Sequence, residues 1–236
     1  MNTSIRNRSA FSLVELLVVL AIIGTLMGVT ATYLTNAKSR ARGVECQKNL
    51  GDWSKGLSML IDESRTHAFP AAGSGAREDT TAWYNVIARP LDMKPLSDYG
   101  EGDRLPVPRG GMKSVYVCPE AGGRDTSGFF SYAYNKNISK GNKTLRAAQV
   151  KRPGELVVFM DAPRTSLWAA DQEDVLAGKS DSFRHGSQMN IAFYDGHVGS
   201  FKRPMVLQGS ENPTAVNEFG ILWDPREESG DGAGSN

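Results

Sequence analysis

The chain has 236 residues, with 27 Lys and Arg against 26 Asp and Glu, for a formal net charge of +1. That balance argues against a polyanion binder or an acidic-tail protein, and no basic stripe interleaved with aromatics points to nucleic acid. Gly and Pro are plentiful beyond position 66, which favours a loop-rich β structure over a helix bundle.

In chain order, a short leader, Met1 to Ala10, precedes an apolar stretch from Phe11 to Leu34. No side chain between Leu16 and Ala37 is charged. A helix of ~20 such residues, rising ~1.5 Å per residue, crosses a hydrocarbon layer ~30 Å thick. Glu15 is the anomaly, lying inside the apolar boundary set by Phe11, Leu13 and Val14. An ionised carboxylate in a bilayer is unfavourable by ~2.5–3.5 kcal/mol even on the gentler scales, so it usually has a partner and a task. The leader offers no base on the same helical face within one turn. A cut between Ala10 and Phe11 would create one, a new α-amine four residues before Glu15. Within one subunit that pair is a modest i,i+4 contact, whereas between subunits a buried pair fixes the axial register of packed helices.

The run Ser9-Ala10-Phe11-Ser12-Leu13-Val14-Glu15-Leu16-Leu17-Val18-Val19-Leu20-Ala21-Ile22-Ile23-Gly24 resembles the N-terminal processing and methylation motif of type IV pilins and type II secretion pseudopilins. The resemblance implies a prepilin peptidase and N-methyltransferase acting between Ala10 and Phe11, with Glu15 serving assembly. Ala10 departs from the Gly usual before the cut, but it is also small. Implied partners are other pilin-like subunits in a homo- or hetero-filament and an inner-membrane assembly platform, with no cofactor and no enzyme activity. Arg6 and Arg8 flank one end of the span, and Lys38, Arg40 and Arg42 the other, so charge alone does not orient it. The resemblance does: the N-terminus is cytoplasmic, and the head periplasmic or extracellular. Two other readings are a plain membrane anchor and a secretory signal peptide cut after Val29-Thr30-Ala31.

Beyond the membrane the helix should continue. Ala41, Cys46, Leu50, Trp53, Leu57 and Leu60 form a stripe, at three- and four-residue spacing from Cys46 onward, and Lys38, Arg42, Lys48, Asp52 and Lys55 fall largely elsewhere. Gly43, Gly51 and Gly56 weaken the helix by up to ~1 kcal/mol each and point to bending or close packing. The helix should stop near Arg65, ahead of Phe69-Pro70. The expected domains are a leader (1–10), an assembly half-helix (11–37), an amphipathic half-helix (38–66), a globular head (67–225) and a disordered tail (226–236). The fold class is α+β, with a long helical spine packed on an antiparallel sheet.

In the head, Asp79 to Ala88 reads as a short helix and Ser97 to Gly111 as a loop. Ser114 to Cys118 and Phe129 to Tyr134 are strand candidates, and Lys143 to Val150 a helical turn. Glu155 to Met160 is the best buried strand, and Thr165 to Ala177 is a helical or irregular insertion. Met189–Tyr194 and His197–Lys202 flank Asp195-Gly196, the signal for a two-residue hairpin turn with both positions at positive φ. Pairing Tyr194 with His197 puts Ala192 opposite Gly199, a flat strip for the spine helix.

An even pair of cysteines, Cys46 and Cys118, favours a disulfide in an exported domain, the alternative being two buried thiols. His185, nine residues, then Asp195-Gly196 resembles the C-terminal motif of a pilin-like subfamily. Asp161, His185, Asp195 and His197 are candidate metal ligands of mixed carboxylate and imidazole type. Against that, Asp195 is explained by the turn, His197 by pairing with Tyr194, and His185 by a hydrogen bond to the sheet. A Gly-x-Ser-x-Gly elbow and a phosphate loop are both missing. The expected function is a fibre subunit. The alternatives are a membrane-tethered binding module and a secreted domain.

Overall fold

The computed structural model describes residues 12–100, 115–121, 130–139, 145–162, 169–170, 174–175, 177, 183–209 and 212–226, with the side chains of Thr32, Thr35 and Asn36 excepted. Ala10, Phe11, Trp168 and residues 227–236 of the tail expected to be disordered lie outside these residues, whereas Arg226, the first residue of that tail, is placed by an ion pair with Asp224 at 2.8 Å. By its internal contacts the chain divides into Met1–Ala41 and Arg42–Asn236.

One helix, α1 (Leu13–Glu63), runs through both units. In the first unit, Leu13–Ala31 is long and apolar enough to cross a membrane, and none of it is buried. Leu13 is 79 % exposed and Leu17 61 %. An apolar surface of that extent is one that bilayer or other helices cover.

In the second unit, α1 buries Cys46, Leu50, Trp53, Leu57 and Ile61, at steps of four, three, four and four. The last contact is Ile61 rather than Leu60, which is only partly buried, and Ala41 is exposed. The helix ends at Glu63, close to the expected stop. The head is a five-stranded sheet in the order β3-β1-β2-β4-β5, built from β1 (Tyr132–Asn135), β2 (Val157–Asp161), β3 (Ala169–Ala170), β4 (Gln188–Phe193) and β5 (Val198–Lys202). All pairs are antiparallel except β1 with β3. The architecture is thus the expected α+β, with a mixed rather than wholly antiparallel sheet. Short helices α2 (Trp83–Val86) and α3 (Arg203–Leu207) complete it.

Alternation along the strands sends Tyr132, Tyr134, Phe159, Ala192 and Val198 toward α1, and Ala133, Met160, Met189, Ile191 and Phe193 to the other face. The α1 side is aromatic. Trp53 meets Trp83, Tyr116 and Phe159 at ring-centroid distances of 5.0, 5.2 and 6.4 Å, and its indole N–H donates to the Val115 carbonyl at 2.9 Å. A disulfide joins Cys46 on α1 to Cys118, tying the helix to the 115–121 segment. The far face is covered by Val206 of α3 and by Ile221 and Trp223. Asn135, fully buried, holds this last segment by donating to the carbonyls of Val157 (2.8 Å) and Trp223 (2.7 Å).

The sequence expectations differ from this fold at three places. Val115 to Cys118 is not a strand: its backbone bonds go to the Trp53 indole and to Ser131 N–H, so tertiary contacts replace a ladder. Ala169–Ala170 forms an edge strand inside the expected insertion, because β1 offers Tyr134 and Asn135 as parallel partners. The β4–β5 hairpin is offset by one residue. Its loop has three residues, with Phe193 N–H donating to the His197 carbonyl, Gly196 N–H donating to the Phe193 carbonyl, and only Gly196 at positive φ (96°). Ala192 therefore opposes Val198, not Gly199. Every β5 side chain changes face, as a one-residue shift requires. The helix meets Val198 at Gly51, whereas a Cβ on Gly199 would strike Phe201.

Candidate functional site

At the start of α1, Ser12 and Glu15 satisfy each other. Val14 N–H donates to Ser12 Oγ (3.3 Å), and Ser12 N–H donates to Glu15 Oε2 (2.9 Å). This is a capping box, and it satisfies two otherwise unpaired donors with an acid placed at the positive end of the helix dipole. The Ser-x-x-Glu spacing carries that signal in the sequence. It gives Glu15 a local partner that the charge argument did not identify. Both residues lie beyond the Ala10–Phe11 bond, so trimming there leaves the pair intact.

The four expected metal-ligand candidates do not converge; they separate into two pairs at opposite ends of β4. At one end, Asp195 Oδ1 accepts from His197 N–H (3.1 Å) and faces His197 Nδ1 at 2.6 Å. Both side chains are exposed, and the imidazole stacks on Phe193 at 4.3 Å. This loop docks on the preceding turn: Asp195 N–H donates to the Pro153 carbonyl, and Gly154 leaves room for the Asp195 carboxylate, which a Cβ there would approach to 3.0 Å.

At the other end, His185 opens a tight turn with reciprocal backbone bonds to Gln188. Its central residues Gly186 and Ser187 both have positive φ (62° and 65°), the pattern of a type I′ turn. The turn type expected at Asp195-Gly196 therefore occurs here, and a Gly-Ser pair is one of its sequence signals. The turn carries the His185 ring into a nearly closed niche. Nδ1 faces Glu120 Oε2 at 3.0 Å, and Nε2 lies 3.4 Å from Asp161 Oδ2 and 3.4 Å from Cys118 Sγ. The ring rests against α1 where Gly43 has no side chain, 3.6 Å from an ideal Cβ there. The His185 and Glu120 side chains are 8 % and 12 % exposed, and Asp161 is fully buried.

Asp161 sits in a wider polar inclusion under α1. Its Oδ2 accepts from Asn190 N–H (2.8 Å), Gln47 Nε2 donates to Ser200 Oγ (2.8 Å), and Asn49 donates to the Tyr132 hydroxyl (3.2 Å). Burial pushes the Asp161 carboxyl above the usual range, while Arg184 and then His185 pull it back. Burial, with Asp161 adding to it, also raises the Tyr132 hydroxyl. Asp161 Oδ1, Asn190 Nδ2 and Ser131 Oγ are buried without a hydrogen-bond partner among the described residues.

Cys118 Sγ lies beside the His185 imidazole but is held in the disulfide rather than as a free thiol. What it offers is a set of donors: two sulfurs, an imidazole held from behind by one carboxylate, and a second, buried carboxylate. Sequence reasoning paired the cysteines with each other but did not bring them to His185, because positions 46, 118 and 185 converge only through the fold.

Residues 5–31 match the profile of the prokaryotic N-terminal methylation motif. No curated protein and no solved structure matches the chain. The motif suggests a type IV pilin- or pseudopilin-like prepilin, a class of structural subunits. The exposed apolar helix is consistent with a single-pass membrane anchor.

Proposed function

We propose that this chain is a pseudopilin-like structural subunit. The precursor sits in the inner membrane with its N-terminus cytoplasmic and its head outside. A prepilin peptidase cuts between Ala10 and Phe11, and the new terminus is N-methylated. The trimmed chain then joins other pilin-like subunits through α1, on an inner-membrane platform, into a type II secretion pseudopilus or a type IV pilus-like fibre. The observation that carries this reading is the coincidence of the methylation motif at 5–31 with Leu13–Ala31, an apolar helix left wholly uncovered in a single chain.

In this reading the uncharged residues after Glu15 supply helix–helix burial, and Glu15 sets the register by meeting the trimmed amine of a neighbour. The uninterrupted course of α1 through Val29-Thr30-Ala31, where Thr30 Oγ1 returns a hydrogen bond to the Leu26 carbonyl (2.8 Å), supports an anchor over a signal peptide cut at that point. N-terminal sequencing and intact mass of the mature protein test the proposal. An N-methylated Phe11 is expected; a terminus at Thr32 or an untrimmed Met1 refutes it. Glu15→Ala should still insert in the membrane but lose crosslinks between anchor helices. If crosslinks form in neither variant, the chain is a membrane-tethered binding module instead.

A further inference from the structure

The disulfide and the histidine niche form one cluster of potential ligand atoms. Three ligand atoms, one each from Cys46, Cys118 and His185, lie within 4.8 Å of one another. A tetrahedral Zn²⁺ with Zn–S of ~2.3 Å and Zn–N or Zn–O of ~2.0–2.1 Å requires S···N and N···O edges of ~3.4–3.6 Å. His185 Nε2 already lies 3.4 Å from Cys118 Sγ. Its other nitrogen faces Glu120 Oε2 at 3.0 Å. That is the carboxylate–histidine arrangement by which zinc proteins fix the tautomer and raise ligand basicity. The Cα atoms of Cys46 and Cys118 are 5.1 Å apart, so freed thiolates could reach a common ion by side-chain rotation.

We propose that, in its dithiol state, this protein binds one Zn²⁺ through Cys46, Cys118 and His185, with water completing the tetrahedron and Glu120 positioning His185. The cysteines are synthesised as thiols and have two fates in the folded head. Metal capture releases two protons as the thiols become thiolates, with no electron transferred. Disulfide formation passes two electrons and two protons to an oxidant of the disulfide or quinone class. The bond seen here is the product of the second fate, and the same contacts serve the first. Zn²⁺ is the ion that suits two thiolates and an imidazole, whereas Ca²⁺ and Mg²⁺ prefer oxygen ligands alone. The inference stands independently of fibre assembly.

The test uses the full chain in detergent micelles. A water-soluble phosphine reduces the bond, consuming one water and giving two thiols and the phosphine oxide. After its removal without oxygen, Zn²⁺ or Co²⁺ is added and bound metal is measured after gel filtration. One ion per reduced chain is expected, and none on the oxidised chain. The Co²⁺ form should show the intense visible bands of a four-coordinate site and thiolate-to-metal charge transfer. Glu120→Gln, which keeps all three protein ligands, should weaken Zn²⁺ by about 10–100-fold against a chelating dye, and His185→Ala by more. The proposal is overturned by a reduced chain without stoichiometric metal, by equal binding to the oxidised chain, by a Co²⁺ spectrum lacking thiolate charge transfer, or by parental affinity in Glu120→Gln.

Discussion

Cutting the Cys46–Cys118 link should weaken the head substantially, and the size of the effect follows from the loop it closes. The two cysteines are 72 positions apart. In the chain-entropy treatment a loop of that length removes ~15 cal/mol/K from the unfolded ensemble, or ~4.4 kcal/mol at 25 °C, and native disulfides usually deliver ~2–5 kcal/mol. Local losses add to this. The link holds the 115–121 segment, whose Val115 carbonyl accepts from Trp53 and whose Tyr116 ring packs on Trp53. The assay is urea unfolding of the Cys46→Ala/Cys118→Ala double variant and of its parent in detergent micelles with chelator present. It is followed by indole fluorescence, which reports the buried Trp53 and Trp83. The variant should lose about 4–5 kcal/mol, with a steeper slope because the uncrosslinked unfolded chain exposes more surface. Coincident midpoints would refute the reasoning, because they would mean that α1 and the 115–121 segment stay docked without the bond.

Gly56 and Gly51 should respond oppositely to alanine. A Cβ on Gly56 would come within 2.7 Å of Ile87 and Leu91, whereas one on Gly51 meets Val198 at an ordinary 3.7 Å. Gly56→Ala should cost about 1–2 kcal/mol as overpacking outweighs helix propensity, and Gly51→Ala should gain up to ~1 kcal/mol, both read from urea midpoints. Asn135→Ala removes two buried donors and the acceptor for Asn137 N–H (3.1 Å). It should cost about 3 kcal/mol and release the 221–226 segment to limited proteolysis. Asp161→Asn should alter the pH profile. Because burial raises the folded carboxyl, the folded state keeps a proton that the unfolded state gives up above pH ~4, so the parent loses stability as pH rises from there toward the raised value. The stability difference should therefore shift in the variant's favour across urea titrations from pH 4 to 8; a constant gap would contradict it.

The spine was legible because its signals are local. Period and stop lie within a few residues, and the buried steps from Cys46 to Ile61 follow the stripe with one shift at its end, whereas the Ser12–Glu15 cap was passed over in favour of a charge argument. β2 was legible as a continuous apolar run, since it is central and covered on both faces. The hairpin was legible in existence but not in register. Asp-Gly accommodates a two-residue turn or a three-residue loop equally, and docking of the loop on Pro153–Gly154 goes with the latter. The niche was legible only in part. Asp161 and His185 stood out as titratable residues, but Asp195 and His197 joined them on a motif whose spacing reflects a strand rather than a cluster. Glu120 went unnoticed because nothing near it in sequence marks an acid that will face an imidazole 65 positions away.

The nine residues between His185 and Asp195 act as a gauge of length. β4 spans ~20 Å at ~3.3 Å per residue, and each of its ends is fastened to something that cannot slide: the helix and disulfide at one, the Pro153–Gly154 turn at the other. Losing one residue would invert the pleat, and losing two would keep the pleat but pull one fastening out of reach by ~7 Å. Point substitutions along β4 should consequently be forgiven far more readily than any change in the count.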